Sequence, residues 1–122
     1  MVQEIAQAIV RQAKEEQAQD IYFVPKEGCY ELYMRIGDER RFIQTYEFDQ
    51  LAAVISHFKF LAGMNVGEKR RSQLGSCDYR YDDKETSIRL STVGDYRGFE
   101  SLVIRLLHDE ETELKFWFTH FP

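Results

Sequence analysis

An α+β fold is what this sequence predicts: an antiparallel sheet of about six strands with an N-terminal helix and a central helix packed on it. Three observations carry that expectation. Two stretches, Val2 to about Gln19 and Asp49 to Ala62, repeat apolar residues at steps of three and four. Six shorter stretches alternate apolar and polar residues or are dense in β-branched and aromatic ones. Short turns rich in Gly, Asp or Pro separate several of those strands, as hairpins require.

In the first helix Val2, Ile5, Ala6, Ile9, Val10 and Ala13 form a narrow apolar stripe, while Glu4, Arg11, Lys14, Glu15 and Glu16 face water. A membrane-surface helix would carry bulkier apolar residues and a more basic polar face. Strand composition begins abruptly at Asp20 and runs to Pro25, and Pro25 to Gly28 supplies a turn. From Cys29 to Ile36, Tyr30, Leu32, Met34 and Ile36 alternate with Cys29, Glu31, Tyr33 and Arg35, the pattern of a half-buried strand. Gly37 to Arg40 turns the chain into a third strand, Arg41 to Phe48, with Phe42, Tyr46 and Phe48 expected on one face.

The central helix has Asp49 as its expected N-cap and sets Leu51, Val54, Ile55, Phe58, Leu61 and Ala62 on one face. Gln50, Ser56, His57 and Lys59 are expected on the outer side, with Lys59 complementing the helix dipole. Gly63 follows the last periodic residue, where a left-handed C-cap is least costly. The loop from Met64 to Gly75 then concentrates positive charge in Glu68-Lys69-Arg70-Arg71, the composition of an anion or partner contact.

Gly75 to Asp82 is the fourth strand, with Cys77, Tyr79 and Tyr81 opposite Asp78 and Arg80, and Asp82 to Lys84 turns it into Glu85 to Thr92. There Thr86, Ile88, Leu90 and Thr92 point inward, with Arg89 and Ser91 outward. After the loop Val93 to Gly98, the strand Phe99 to Leu107 directs Leu102, Ile104 and Leu106 to one face and Val103 and Arg105 to the other. The acidic then aromatic segment from Asp109 is expected to start a helix, with Leu114, Trp117 and Phe118 packing back or meeting a partner.

At 122 residues the chain has enough surface to bury for one core. Its hydrophobic content of 43%, charged content of 30% and aromatic content of 14% are those of a folded globular protein. A net charge of −5 works against a nonspecific hold on nucleic acid. The N-terminus lacks signal-peptide order and no apolar run reaches bilayer-spanning length, so a cytoplasmic address is expected. Cys29 and Cys77 lack metal-ligand spacing and are expected to be reduced thiols.

The run Ala62-Gly63-Met64-Asn65-Val66-Gly67-Glu68-Lys69-Arg70-Arg71-Ser72-Gln73-Leu74-Gly75 resembles a segment ahead of the ATPase core in the type II secretion and type IV pilus assembly motor family. That segment usually reads Ala-Gly-Met-Asp-Ile-Ala-Glu-Lys-Arg-Leu-Pro-Gln-Asp-Gly; Ala62, Gly63, Met64, Glu68, Lys69, Arg70, Gln73 and Gly75 match. Four more segments follow suit in order. Ala18 to Pro25 resembles the family's Ala-Ser-Asp-Ile-His-Ile-Glu-Pro, with Tyr22 and Val24 replacing its histidine and glutamate; Arg35-Ile36-Gly37-Asp38 resembles Arg-Ile-Asp-Gly with its last two residues exchanged. Ile88 to Thr92 and Glu100 to Leu107 resemble Leu-Arg-Val-Ser-Thr and Glu-x-Val-Val-x-Arg-Leu-Leu. Within the family the chain is most similar to the competence-pilus ATPases of Gram-positive bacteria, motors of DNA uptake.

The resemblance implies a PAS-like N-terminal domain over residues 1–108 and a segment 109–122 leading to an ATPase domain not in this chain. It implies a docking and regulatory role in a hexameric ATPase that uses ATP and magnesium. Partners would be its own C-terminal ATPase domain, neighbouring subunits and an inner-membrane platform protein, which would hold the motor peripherally at the membrane. It further implies that arginines of the late strands reach the nucleotide: Arg89 and Arg105 within matching motifs, and Arg97 in the loop between them. Glu68, Lys69, Arg70, Arg71 and Gln73 are the candidates for contacts between domains or subunits, with nucleotide contact equally open for Arg70, Arg71 and Arg97.

No Gly-x-x-x-x-Gly-Lys-Ser/Thr loop occurs in the chain, so it is not expected to hydrolyse ATP by itself. His57, His108 and His120 lack ligand-spaced partners, so no metal is expected, and nothing in the sequence joins Cys77 to His108 as a nucleophile pair. Arginine remains the residue with a mechanism, because its planar, permanently charged fork meets phosphate bidentately. The alternative is a stand-alone PAS-like sensor or interaction module, with a small-ligand pocket lined by Tyr30, Met34, Phe42 and Phe58.

Overall fold

The computed structural model describes residues 1–107. The segment 109–122, with the helix expected from Asp109, lies outside the described residues, as does His108. The elements run α1 (Val2–Glu15), β1 (Asp20–Pro25), β2 (Cys29–Ile36), β3 (Glu39–Glu47), α2 (Phe48–Leu61), β4 (Gln73–Tyr81), β5 (Lys84–Gly94) and β6 (Glu100–Leu106). The six strands make one antiparallel sheet in the order β3-β2-β1-β6-β5-β4, an α+β fold. Two three-stranded meanders, β1-β2-β3 and β4-β5-β6, are thus joined edge to edge where β1 pairs with β6.

Both helices contribute to a core on one side of the sheet. Ala6, Ile9, Val10 and Ala13 of α1, and Leu51, Val54, Ile55 and Phe58 of α2, pack with Ile21, Phe23, Leu32, Met34, Ile88, Leu90, Leu102 and Ile104 of the sheet, all out of water. Full burial of one such aliphatic or aromatic side chain contributes about 1.5–3 kcal/mol. Tyr30 joins this core at its edge and donates its hydroxyl to the Glu100 carbonyl at 2.7 Å; burial pushes its pKa up to about 12, so it remains a donor.

Both helices end in a Schellman arrangement. In α2, Gly63 at φ +70° closes the turn while its N–H meets the Phe60 carbonyl, and the Met64 N–H reaches the Lys59 carbonyl. In α1 the left-handed position is Gln17 at φ 57°, with Ala18 bonded back to Ala13, so this helix stops at Glu15, short of the expected Gln19. The turn between β4 and β5 is two residues, Asp82 and Asp83, both left-handed as a type I′ hairpin requires.

Three expectations are corrected. Asp49 is not the N-cap of α2: the helix begins at Phe48 directly out of β3, and Asp49 lies in its first turn, where its charge still favours the helix N-terminus. Phe42 is not on the inner face. A β-bulge at Leu32/Tyr33 shifts the register, so Ile43 and Tyr46 turn toward the core while Phe42 is 54% exposed and packs edge-on against Tyr33.

The third concerns Lys59, which is wholly buried rather than facing water. Its ammonium donates to Glu100 Oε2 at 2.6 Å, to the Glu68 carbonyl at 2.8 Å and to the Val66 carbonyl at 3.4 Å. All three of its donors are therefore used, and the loop after α2 is tied to the start of β6.

Candidate functional site

The side of the sheet away from the helices has no element over it among the described residues. Strand register places one row across it: Arg40 on β3, Arg35 on β2, Asp20 on β1, Arg105 on β6, Arg89 on β5 and Ser76 on β4. At a strand spacing of about 4.8 Å the four arginines span about 19 Å. Folding does not ask for this: like charges directly opposite on paired strands destabilise by roughly 0.2–1 kcal/mol, and here Arg89 faces Arg105 while Arg35 faces Arg40.

The row is internally wired at its centre. Asp20, 4% exposed, accepts the Arg105 Nε–H at 3.1 Å on one oxygen and the Tyr22 hydroxyl at 3.2 Å on the other. Tyr22 in turn accepts the Arg35 Nε–H at 3.1 Å, and Arg35 Nε lies 3.8 Å from Asp20. The bond to Asp20 raises the Arg105 pKa further, as the bond to Tyr22 does for Arg35, so both are fixed cations. The Arg40 guanidinium carbon sits over the rings of Tyr22 and Tyr33, 4.5 and 4.7 Å from their centroids. Arg89 has no hydrogen bond or ion pair among the described residues.

A second basic region sits at one end of the sheet. Glu68 folds its carboxylate back onto the N–H groups of Arg70 and Arg71, at 2.8 and 3.2 Å, which holds its pKa below the usual range. The Gln73 amide spans the same loop, accepting from the Asn65 N–H and donating to the carbonyls of Asn65 and Glu68. Gly94 lets the loop approach β5: a Cβ there would lie 1.8 Å from the Lys69 carbonyl oxygen. Lys69 and Arg97 line a cleft of about 150 Å³ walled by Tyr30, Phe48 and Phe99. Arg97 is held within it by Asp95, at 2.8 and 3.0 Å, and by the face of Phe99.

The structure therefore brings Arg89 and Arg105 side by side and puts Arg97 elsewhere, at the tip of the β5–β6 hairpin, about 17 Å of strand away from Arg89. Glu68 and Gln73 spend their side chains on their own loop, while Lys69, Arg70 and Arg71 lie on its outside or at the cleft. Tyr30, Met34, Phe42 and Phe58 line no common pocket: three are core and Phe42 is on the opposite face. Sequence reasoning missed Asp20, Arg35 and Arg40 as members of the row. The two-residue turn Gly37-Asp38 could have shown that Arg35 and Arg40 are cross-strand neighbours; nothing local shows that β1 joins β6. Among the described residues no group of three or more His, Cys, Asp or Glu could hold a metal ion, and no helix is long and apolar enough to cross a membrane.

Comparison with known proteins adds an independent line. A family model described as "Type II/IV secretion system protein" matches residues 1–119. The chain is 74% identical over 118 residues to Competence protein ComGA of Streptococcus pneumoniae, covering 97% of the chain and 38% of that protein. It is 34% identical over 105 residues to the Type IV pilus assembly ATPase PilB of Thermus thermophilus, covering 86% of the chain and 12% of PilB. With Type II secretion system protein E of Xanthomonas campestris it shares 33% identity over 109 residues, covering 89% of the chain and 19% of that protein. The chain thus spans well under half the length of these relatives.

Proposed function

The chain belongs to the type II/IV secretion system protein family, and from that premise we propose that it is the N-terminal docking and regulatory domain of a competence ATPase that powers pilus assembly and DNA uptake. Catalysis belongs to a nucleotide-binding domain beyond this chain, which uses ATP and magnesium in a hexameric ring. The open face of the sheet docks on that domain and lends Arg89 and Arg105 to its nucleotide. The basic loop, through Lys69, Arg70 and Arg71, together with Arg97 at the hairpin tip, serves contacts between subunits. An inner-membrane platform protein then holds the cytoplasmic motor at the membrane.

One observation carries the reading. Arg89 and Arg105 are direct cross-strand partners, and Arg89 has no acidic group to answer it among the described residues. Two facing guanidiniums that share a single carboxylate, Asp20 on Arg105, leave an excess positive charge for an external anion, and a terminal phosphate offers the geometry that a guanidinium meets bidentately. Arginines supplied to a nucleotide from outside its own binding loop contribute about 10³–10⁵ in rate in phosphoryl transfer.

The test is made in the full-length protein. Arg89→Ala and Arg105→Ala should each lower kcat for ATP hydrolysis by roughly 10³-fold while the protein stays folded. Hydrolysis unchanged in both variants would remove the arginines from the nucleotide site.

A further inference from the structure

Resting on the anion-face reading above, we infer that Asp20 is the positioning residue of the arginine row and that Arg35 is its third guanidinium, so that Arg35, Arg105 and Arg89 together meet a polyphosphate. Asp20 sits on β1, between the strands that bear Arg35 and Arg105, and is nearly closed to water. Aspartate is a poor strand residue, and a threonine or valine would serve the fold better there. What the carboxylate does is visible in its bonds: one oxygen takes the Arg105 Nε–H, the other takes the Tyr22 hydroxyl, and Tyr22 takes the Arg35 Nε–H.

Both arginines are gripped through Nε. That bond fixes the plane of each guanidinium yet leaves its two terminal nitrogens with no partner among the described residues. Those nitrogens form the fork that receives a phosphate bidentately. The Arg105 side chain is 67% exposed and that of Arg35 40%, so the forks are within reach of a ligand from solvent. Arg40 is committed to the faces of Tyr22 and Tyr33 and is not counted among the three.

Positioning and bare charge make opposite demands. If Asp20 acted on the anion only through its charge, its removal would make Arg105 more valuable to a phosphate. If it orients Arg105, its removal makes Arg105 worth less.

Inorganic tripolyphosphate titrated into the 122-residue chain, followed by the NMR signals of the arginine Nε–H groups, separates the two. The Arg35, Arg89 and Arg105 signals should move together with one Kd. Arg35→Gln, at a half-exposed side chain, should weaken binding about tenfold, the worth of one charge-assisted contact. Arg105→Gln should cost about tenfold in the native background and less than about threefold beside Asp20→Ala. Asp20→Asn, which keeps an acceptor but loses the charge, should restore most of that coupling. Failure of the Arg89 and Arg105 signals to move would reject the anion face itself. Movement of those two without Arg35, or an Arg105→Gln cost that is equal or larger beside Asp20→Ala, would overturn this inference alone.

Discussion

Lys59 and Glu100 form an ion pair at 2.6 Å with the lysine wholly out of water and the glutamate 7% exposed. They lie on α2 and at the start of β6, and the same ammonium holds the carbonyls of Val66 and Glu68. Removing one member strands the other. Lys59→Met should therefore cost about 3–5 kcal/mol, while Lys59→Met combined with Glu100→Leu should recover most of the loss. Urea unfolding of the two proteins measures this. Equal destabilisation of single and double variants would mean that the pair's charge balance is not what holds the loop.

Gly94 is required for space. A methyl there meets the Lys69 carbonyl oxygen and the Arg70 Cα, which are backbone atoms that cannot swing aside. Gly94→Ala should cost about 1–3 kcal/mol and speed amide exchange in residues 65–72. Unchanged exchange in that loop would show that it does not rest on β5.

Glu68 should make the loop sensitive to acid. The N–H groups of Arg70 and Arg71 depress its pKa in the folded chain, below an unfolded value of about 4.3. A depressed carboxylate stabilises fully above the unfolded value and loses that contribution as pH falls through the folded one. Protection of the Arg70 and Arg71 amides relative to the unfolded chain should therefore fall as pH drops below about 4, and Glu68→Gln should flatten the dependence. An NMR titration giving Glu68 an ordinary or raised pKa would contradict the geometry.

How far the sequence reads correctly depends on whether a partner is near in the chain. Gly63 is legible as a cap because the atoms it serves, on Lys59 and Phe60, lie within five residues. The inward faces of the last two strands are legible from simple alternation, and Ile88, Leu90, Leu102, Ile104 and Leu106 are all buried. Lys59 is not legible: the helical pattern places it near a terminus, and the group that draws it inside, Glu100, is 41 residues away. Phe42 fails for a related reason: Ile43 is an extra residue of β3 opposite the Leu32/Tyr33 step, and that bulge breaks the alternation between Tyr46 and Phe42. Arg89 and Arg105 read as outward-facing from alternation, but that Asp20 lies between Arg105 and Arg35 follows only from the pairing of β1 with β6.

The family resemblance and the register meet at Arg89 and Arg105, and a cost in stability should accompany their use. Neutralising one arginine of a facing pair relieves repulsion of roughly 0.2–1 kcal/mol, whereas a residue kept for the fold would lose stability when removed. The most direct measurement is made on Arg89→Ala, with thermal unfolding and tripolyphosphate binding followed on the same sample. The account expects an unfolding midpoint equal to or above that of the native chain, together with anion binding weakened about tenfold. A lowered midpoint with undiminished binding would contradict it.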